Sequence, residues 1–130
     1  MREILFRAKS KEDGKWIEGF PVRIYDYGGL VWDIHPFNTN FEITQSIDPK
    51  TIGQFTGLTD KNGKKIFEGD ILDCKSGMYE RCKVIFNEFC SAFQLKCADG
   101  FSDFFLCSIN HKEMEIIGNI HDNHELLENH

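Results

Sequence analysis

Short apolar runs broken by turn residues cover this chain of 130 residues from end to end. Ile4 to Lys9 predicts a first strand, and Lys11-Glu12-Asp13-Gly14-Lys15 a polar turn. Trp16 to Phe20 resumes as a second strand, so Glu12-Asp13-Gly14 predicts a hairpin. Val22 to Tyr27 reads as a third run, and Gly28-Gly29 turns it into Leu30 to Ile34. His35 to Asn40 reads as loop, because Pro36 removes a donor and two Asn interrupt the pattern. Phe41 to Thr44 alternates as a short strand, and Asp48-Pro49 signals a turn. Residues 35–50 are therefore the candidate boundary or insertion in an otherwise single domain spanning 1–130.

The second half alternates more cleanly. Asn62-Gly63 predicts a tight turn between strands, and Gly69-Asp70 a second one that launches Ile71 to Cys74. Cys82, Val84 and Phe86 occupy one face of a strand, and Phe93, Leu95 and Cys97 one face of the next. The short link from Asn87 to Ser91 makes these two an antiparallel hairpin. Asp99-Gly100 turns into Phe101 to Leu106, and Met114 to Ile120 is a final strand. The tail from Asp122 to His130 predicts a turn or two of helix, with Asp122 as N-cap and Leu126-Leu127 facing inward. The fold class that follows is mainly β, a distorted barrel of short antiparallel strands with a short C-terminal helix or tail.

Composition agrees with that class. The chain holds 12 Phe and 14 Ile against 8 Leu and 3 Ala, a balance that suits pleated surfaces rather than helices. The net charge of −6 falls wholly in residues 86–130, which carry 2 basic and 8 acidic side chains. No basic stripe runs along the chain to neutralise a row of phosphates. Cys74, Cys82, Cys90, Cys97 and Cys107 are an odd number of cysteines, without a Cys-x-x-Cys pair, and the N-terminus lacks a signal-like apolar core. These features predict free thiols in a cytoplasmic protein with no structural zinc.

Each candidate constellation has a plain structural alternative. His121, Asp122, His124 and His130, with His111, offer metal-ligating types, but read more simply as a polar tail. Cys90 beside Glu88 and Ser91, with His111 and Asn119 downstream, has the residue types of a thiol nucleophile without its local signature. Lys61-Asn62-Gly63-Lys64-Lys65 is a small basic patch at a hairpin tip. Glu68 and Asp70 are paired carboxylates separated by a turn glycine. Trp16, Trp32, Tyr25 and Tyr27 are able to stack on a ligand, and read first as core and cross-strand partners. No catalytic, cofactor or metal residue is assigned from these patterns.

Three blocks, in order, resemble the YopX-like phage protein family. They are Arg2 to Ala8, the central Thr51 to Ile71 with Ile52-Gly53-Gln54-Phe55-Thr56-Gly57-Leu58, Asp60-Lys61-Asn62-Gly63-Lys64 and Ile66-Phe67-Glu68-Gly69-Asp70-Ile71, and the closing Glu115 to Leu127. The chain departs from the family pattern at Phe55, Phe67 and His121, where Tyr is frequent, and at His124, where Pro is usual. The resemblance implies a mainly β, barrel-like fold and a role in phages or prophages of Gram-positive bacteria. It brings no catalytic residue with it. Within the motifs, Gly57, Gly63, Gly69 and Gly118 suit tight backbone, and Ile66, Ile71 and Ile117 suit core positions.

The expected function is a small phage or prophage accessory protein, non-enzymatic, that binds a host or phage protein and is able to self-associate. Two alternatives stand beside it. One is a nucleic-acid-binding barrel using a basic face on residues 59–83. The other is an acidic nucleic-acid mimic presenting Asp99, Asp103, Glu113 and Glu115. An enzyme relying on Cys90, His111 and Asp122 is the remaining class.

Overall fold

The computed structural model describes residues 3–37, 43–74, 81–98, 103–110 and 113–128. Ten strands carry it: β1 (Phe6–Ser10), β2 (Trp16–Asp26), β3 (Gly29–Pro36), β4 (Gln45–Thr59), β5 (Lys65–Phe67), β6 (Asp70–Cys74), β7 (Arg81–Asn87), β8 (Ala92–Cys97), β9 (Asp103–Phe105) and β10 (Met114–Asn119). The chain divides into two compact units, Met1–Phe55 and Thr56–His130.

In the first unit, β1 to β4 pair in order and β1 also pairs with β4, closing a four-stranded antiparallel barrel. Closure leaves no unpaired edge within the ring where the strands overlap. Ala8, Ile34 and Ile47 form its buried centre, with Ile17, Trp32 and Ile52 packed around them. Asp33 is buried and accepts hydrogen bonds from Thr44 Oγ1 (2.7 Å) and Ser46 Oγ (3.4 Å), which ties β3 to the chain entering β4.

Three local expectations change here. The second and third predicted runs are one strand, because β2 continues through Pro21. The β1 pairing stops at Gly19, so beyond that point only β3 flanks β2 and the missing proline donor breaks no ladder on its outer side. Asp48-Pro49 does not end a strand. It opens a bulge inside β4, where Lys9 pairs with Asp48 and Arg7 with Gly53. Asp48 Oδ1 accepts the Lys50 amide at 3.0 Å, and Thr51 Oγ1 accepts the Lys9 amide at 2.8 Å while donating to the Asp48 carbonyl at 2.6 Å. The turn chemistry is real, and the sheet absorbs it. Ile43-Thr44 precede β4 rather than forming a strand, while Phe41-Glu42 and Asn38 to Asn40 lie outside the described residues.

In the second unit a five-stranded antiparallel sheet runs in the order β10-β6-β7-β8-β9, and β5 pairs with β4. Its core is Ile66, Leu72, Cys74, Cys82, Val84, Leu95, Cys97, Leu106 and Met114. The predicted alternation holds. Cys82 and Val84, and Leu95 and Cys97, point inward, and Phe86 meets Phe93 edge-on at 5.2 Å near the hairpin end.

Two carboxylates fasten the turns of this unit. Asp60 Oδ1 accepts the amides of Asn62 and Lys64, both at 2.9 Å, across the hairpin whose Gly63 takes φ +80°. Its other oxygen accepts the Ile116 amide of β10 at 3.0 Å. Burial alone pushes the Asp60 carboxyl up. The amides of Ile116, Lys64 and Asn62, with the Lys64 charge, outweigh that and hold it below the ordinary carboxylate value. Asp70 is 1% exposed and accepts the Phe67 amide at 2.7 Å.

The tail forms the expected short helical turn. It is a 3-10 turn, His124–Leu127, whose N-cap is Asn123 rather than Asp122 and has no side-chain capping bond. Asn123 is instead engaged backward, donating its amide to the Asn119 carbonyl at 2.8 Å and accepting the Asn119 amide on its side chain at 3.2 Å. Leu126 and Leu127 are half-buried, as expected, and Arg81 Nη1 donates to the Leu126 carbonyl at 3.1 Å. A second 3-10 turn, Leu106–Ser108, ends the apolar run after β9. No described helix is long and apolar enough to cross a membrane.

Candidate interaction surface

The barrel's β2–β3 hairpin outruns the core it helps to build. Eight cross-strand pairs run from Gly19–Pro36 to Asp26–Gly29. Ile34 and Trp32 lie at the core end of one ribbon face. Moving outward on that face, Arg23 pairs with Trp32, with its guanidinium 4.8 Å from the ring centre, and Tyr25 pairs with Leu30. The hairpin extends roughly 10 Å past the Trp32 position, at about 3.4 Å per residue.

Its tip is a two-residue loop, Tyr27-Gly28, tightened by Asp26 Oδ1 accepting the Gly28 amide at 2.7 Å. Apolar area collects here. Tyr25 is 83% exposed, Leu30 46%, and Tyr27 fully exposed. The expectation that Tyr25 and Tyr27 are buried cross-strand partners is therefore corrected. Tyr25 does have Leu30 opposite it, but neither reaches the core. Trp16 and Trp32 behave as expected: Trp32 packs on the barrel core, and Trp16 lies under Arg7 (4.5 Å) and Lys9 (5.6 Å).

The other candidates lie outside this tip. Cys90 is exposed on the β7–β8 turn, near the Asn87 carbonyl (3.9 Å) and Gln94 Nε2 (3.8 Å), and His111 lies outside the described residues. Asn119 holds the closing turn, accepting the amides of His121 and Asp122 and donating to Asp122 Oδ2 at 3.1 Å. His121 and His124 are exposed, and no group of His, Cys, Asp or Glu able to hold a metal forms among the described residues. Lys61 pairs with Glu115 at 3.3 Å, which joins a member of the basic patch to a member of the acidic third. Glu113 is exposed, Asp99 lies outside the described residues, and Glu68 is half-buried in its turn. Asp70, the other half of the carboxylate pair, is consumed by the Phe67 amide. An open cavity of about 210 Å³ bounded by Lys83, Lys96, Cys97, Ala98 and Leu127 is smaller than the roughly 300 Å³ at which ligand pockets begin.

Comparison with known proteins now places the fold. The model of the YopX protein family matches residues 5–128. The chain belongs to the YopX family. A solved relative, protein EF1440 from Enterococcus faecalis, is 26% identical, with a TM-score of 0.61 over 98% of this chain and 100% of that one. No curated protein matches. The YopX motifs of this chain coincide with its structural fastenings. Asp60-Lys61-Asn62-Gly63-Lys64 is the amide-capped hairpin, Phe67 to Asp70 the buried-carboxylate turn, and Gly118 to Asn123 the asparagine-locked closing turn. Of the isoleucines, Ile66 and Ile71 are fully buried, while Ile117 is half-buried at the bulge between Ile116 and Gly118.

Proposed function

We propose that this YopX-family chain is a non-enzymatic binding module that acts in a phage or prophage setting by holding a host or phage protein. The surface assigned to that role is the tip of the β2–β3 hairpin. One observation carries the reading: Tyr25, Tyr27 and Leu30 stand in solvent on a strand pair that extends past its own core. Exposed tyrosines on a strand pair, with Arg23 stacked on Trp32 behind them, are the side-chain types that dominate protein–protein hot spots. Each also loses few rotamers on burial in a partner. The arrangement supports recognition by apolar contact rather than by charge.

Affinity capture from bacterial lysate, with wild type beside a Tyr25→Ser/Tyr27→Ser variant and with and without nuclease, tests this. The reading predicts a protein that survives nuclease and is lost with the variant. A ligand lost on nuclease treatment would move the nucleic-acid alternative to first place. A partner retained equally by both chains would remove the hairpin from the role.

A further inference from the structure

The second unit buries three thiols together. Cys82 on β7 and Cys97 on β8 are direct cross-strand partners, and their sulfurs lie 2.9 Å apart. Cys74 on β6 stands 4.0 Å from Cys82. The Ala98 amide donates to the Arg81 carbonyl at 2.9 Å, which makes Arg81–Ala98 a hydrogen-bonded pair. Cys82–Cys97, the next pair along, is therefore a non-hydrogen-bonded one, with Cα atoms about 4.5 Å apart. That separation falls inside the range a disulfide accepts. A metal fits less well, since two thiolates on a tetrahedral zinc stand roughly 3.8 Å apart.

We propose that Cys82 and Cys97 are a reversible disulfide site, closed by exchange with a small disulfide. Cys97 is the entry point. It is 5% exposed where Cys82 is 0%. The Cys82 thiol is pushed up, by its hydrogen bond to Cys74 and then by burial, so it is the poorer first nucleophile. The Cys97 sulfur attacks the small disulfide, giving a mixed disulfide and releasing one small thiol. The Cys82 sulfur then attacks Cys97 Sγ, forming the Cys82–Cys97 bond and expelling the second small thiol. Two protein thiols are oxidised, one small disulfide is reduced, and the two protein protons end on the two leaving thiols.

The experiment uses the full chain with the exposed pair removed, Cys90→Ser/Cys107→Ser, which leaves three cysteines of the original five. The folded, reduced protein is incubated with excess glutathione disulfide, quenched with acid, and its thiols are titrated after denaturation. The proposal expects titratable thiols to fall from three to one, the mass to drop by two hydrogens, and peptide mapping to give a Cys82–Cys97 link that dithiothreitol reverses. Adding Cys97→Ser should abolish the loss, while the mapping on the parent does not depend on that variant folding. Three thiols remaining, a Cys74–Cys82 link, or a stable mixed disulfide without the internal bond would each overturn it.

Discussion

The β2–β3 tip and the turns of the second unit are built from similar residues and put to opposite uses. Asp26 closes its turn with a single hydrogen bond to the Gly28 amide, among exposed side chains. Asp60 closes its turn with two amides, then reaches across to a third on β10. The first turn holds only itself. The second is a fastening between elements 56 residues apart in sequence. A turn that anchors nothing beyond itself leaves its side chains free for another molecule, whereas a turn whose carboxylate is committed to the backbone has none to spare. On this contrast the motifs of the YopX family belong to the fold, and the proposed binding surface lies where the fastenings are absent.

Substitutions sharpen the contrast in order of expected effect. Gly19 faces the His35 carbonyl across the β2–β3 ladder so closely that a Cβ there would collide with backbone. Gly19→Ala should destabilise the chain by about 3 kcal/mol or more, measured by urea unfolding. Asp60→Ala removes one acceptor from three amides and should cost about 2–3 kcal/mol in the same measurement. Gly118→Ala would set a Cβ against Asn123, 2.6 Å from its Oδ1, and should cost about 1–2 kcal/mol as that side chain gives way. A tip substitution such as Tyr27→Ala should stay within about 0.5 kcal/mol of wild type, as exposed positions do.

Asp60 also predicts a pH dependence. Its folded-state value lies below the ordinary 3.8, so the ionised carboxyl favours the folded chain. That contribution is complete above the unfolded-state value and is lost as pH falls through the lower folded-state one. Stability should therefore decline on the acid side of 3.8, and Asp60→Asn should flatten that part of the curve.

Hairpins closed by neighbours in sequence are legible in the sequence itself. Gly14, Asn62-Gly63 and the Asn87 to Ser91 link each mark a turn that forms as expected, because its determinants sit within a few residues. What depended on distant partners was not legible. Pro21 looks like a break until β1 is seen to stop at Gly19. Asp48-Pro49 looks like a boundary until β1 pairs on both sides of the bulge. Asp60 reads as a turn residue, and nothing local announces the Ile116 amide. The exposure of the proposed surface was hidden for the same reason. Tyr25 and Tyr27 alternate as core strands do, and only the place where the core ends shows that they extend beyond it.

The central claim is that the β2–β3 tip serves binding and not folding. Its most direct test is urea unfolding of the Tyr25→Ser/Tyr27→Ser variant on the same preparation used for affinity capture. The account predicts a stability within about 1 kcal/mol of wild type, the scale of an exposed cross-strand pair, together with loss of the captured protein. A variant that unfolds several kcal/mol earlier, or one that keeps its partner, would contradict it.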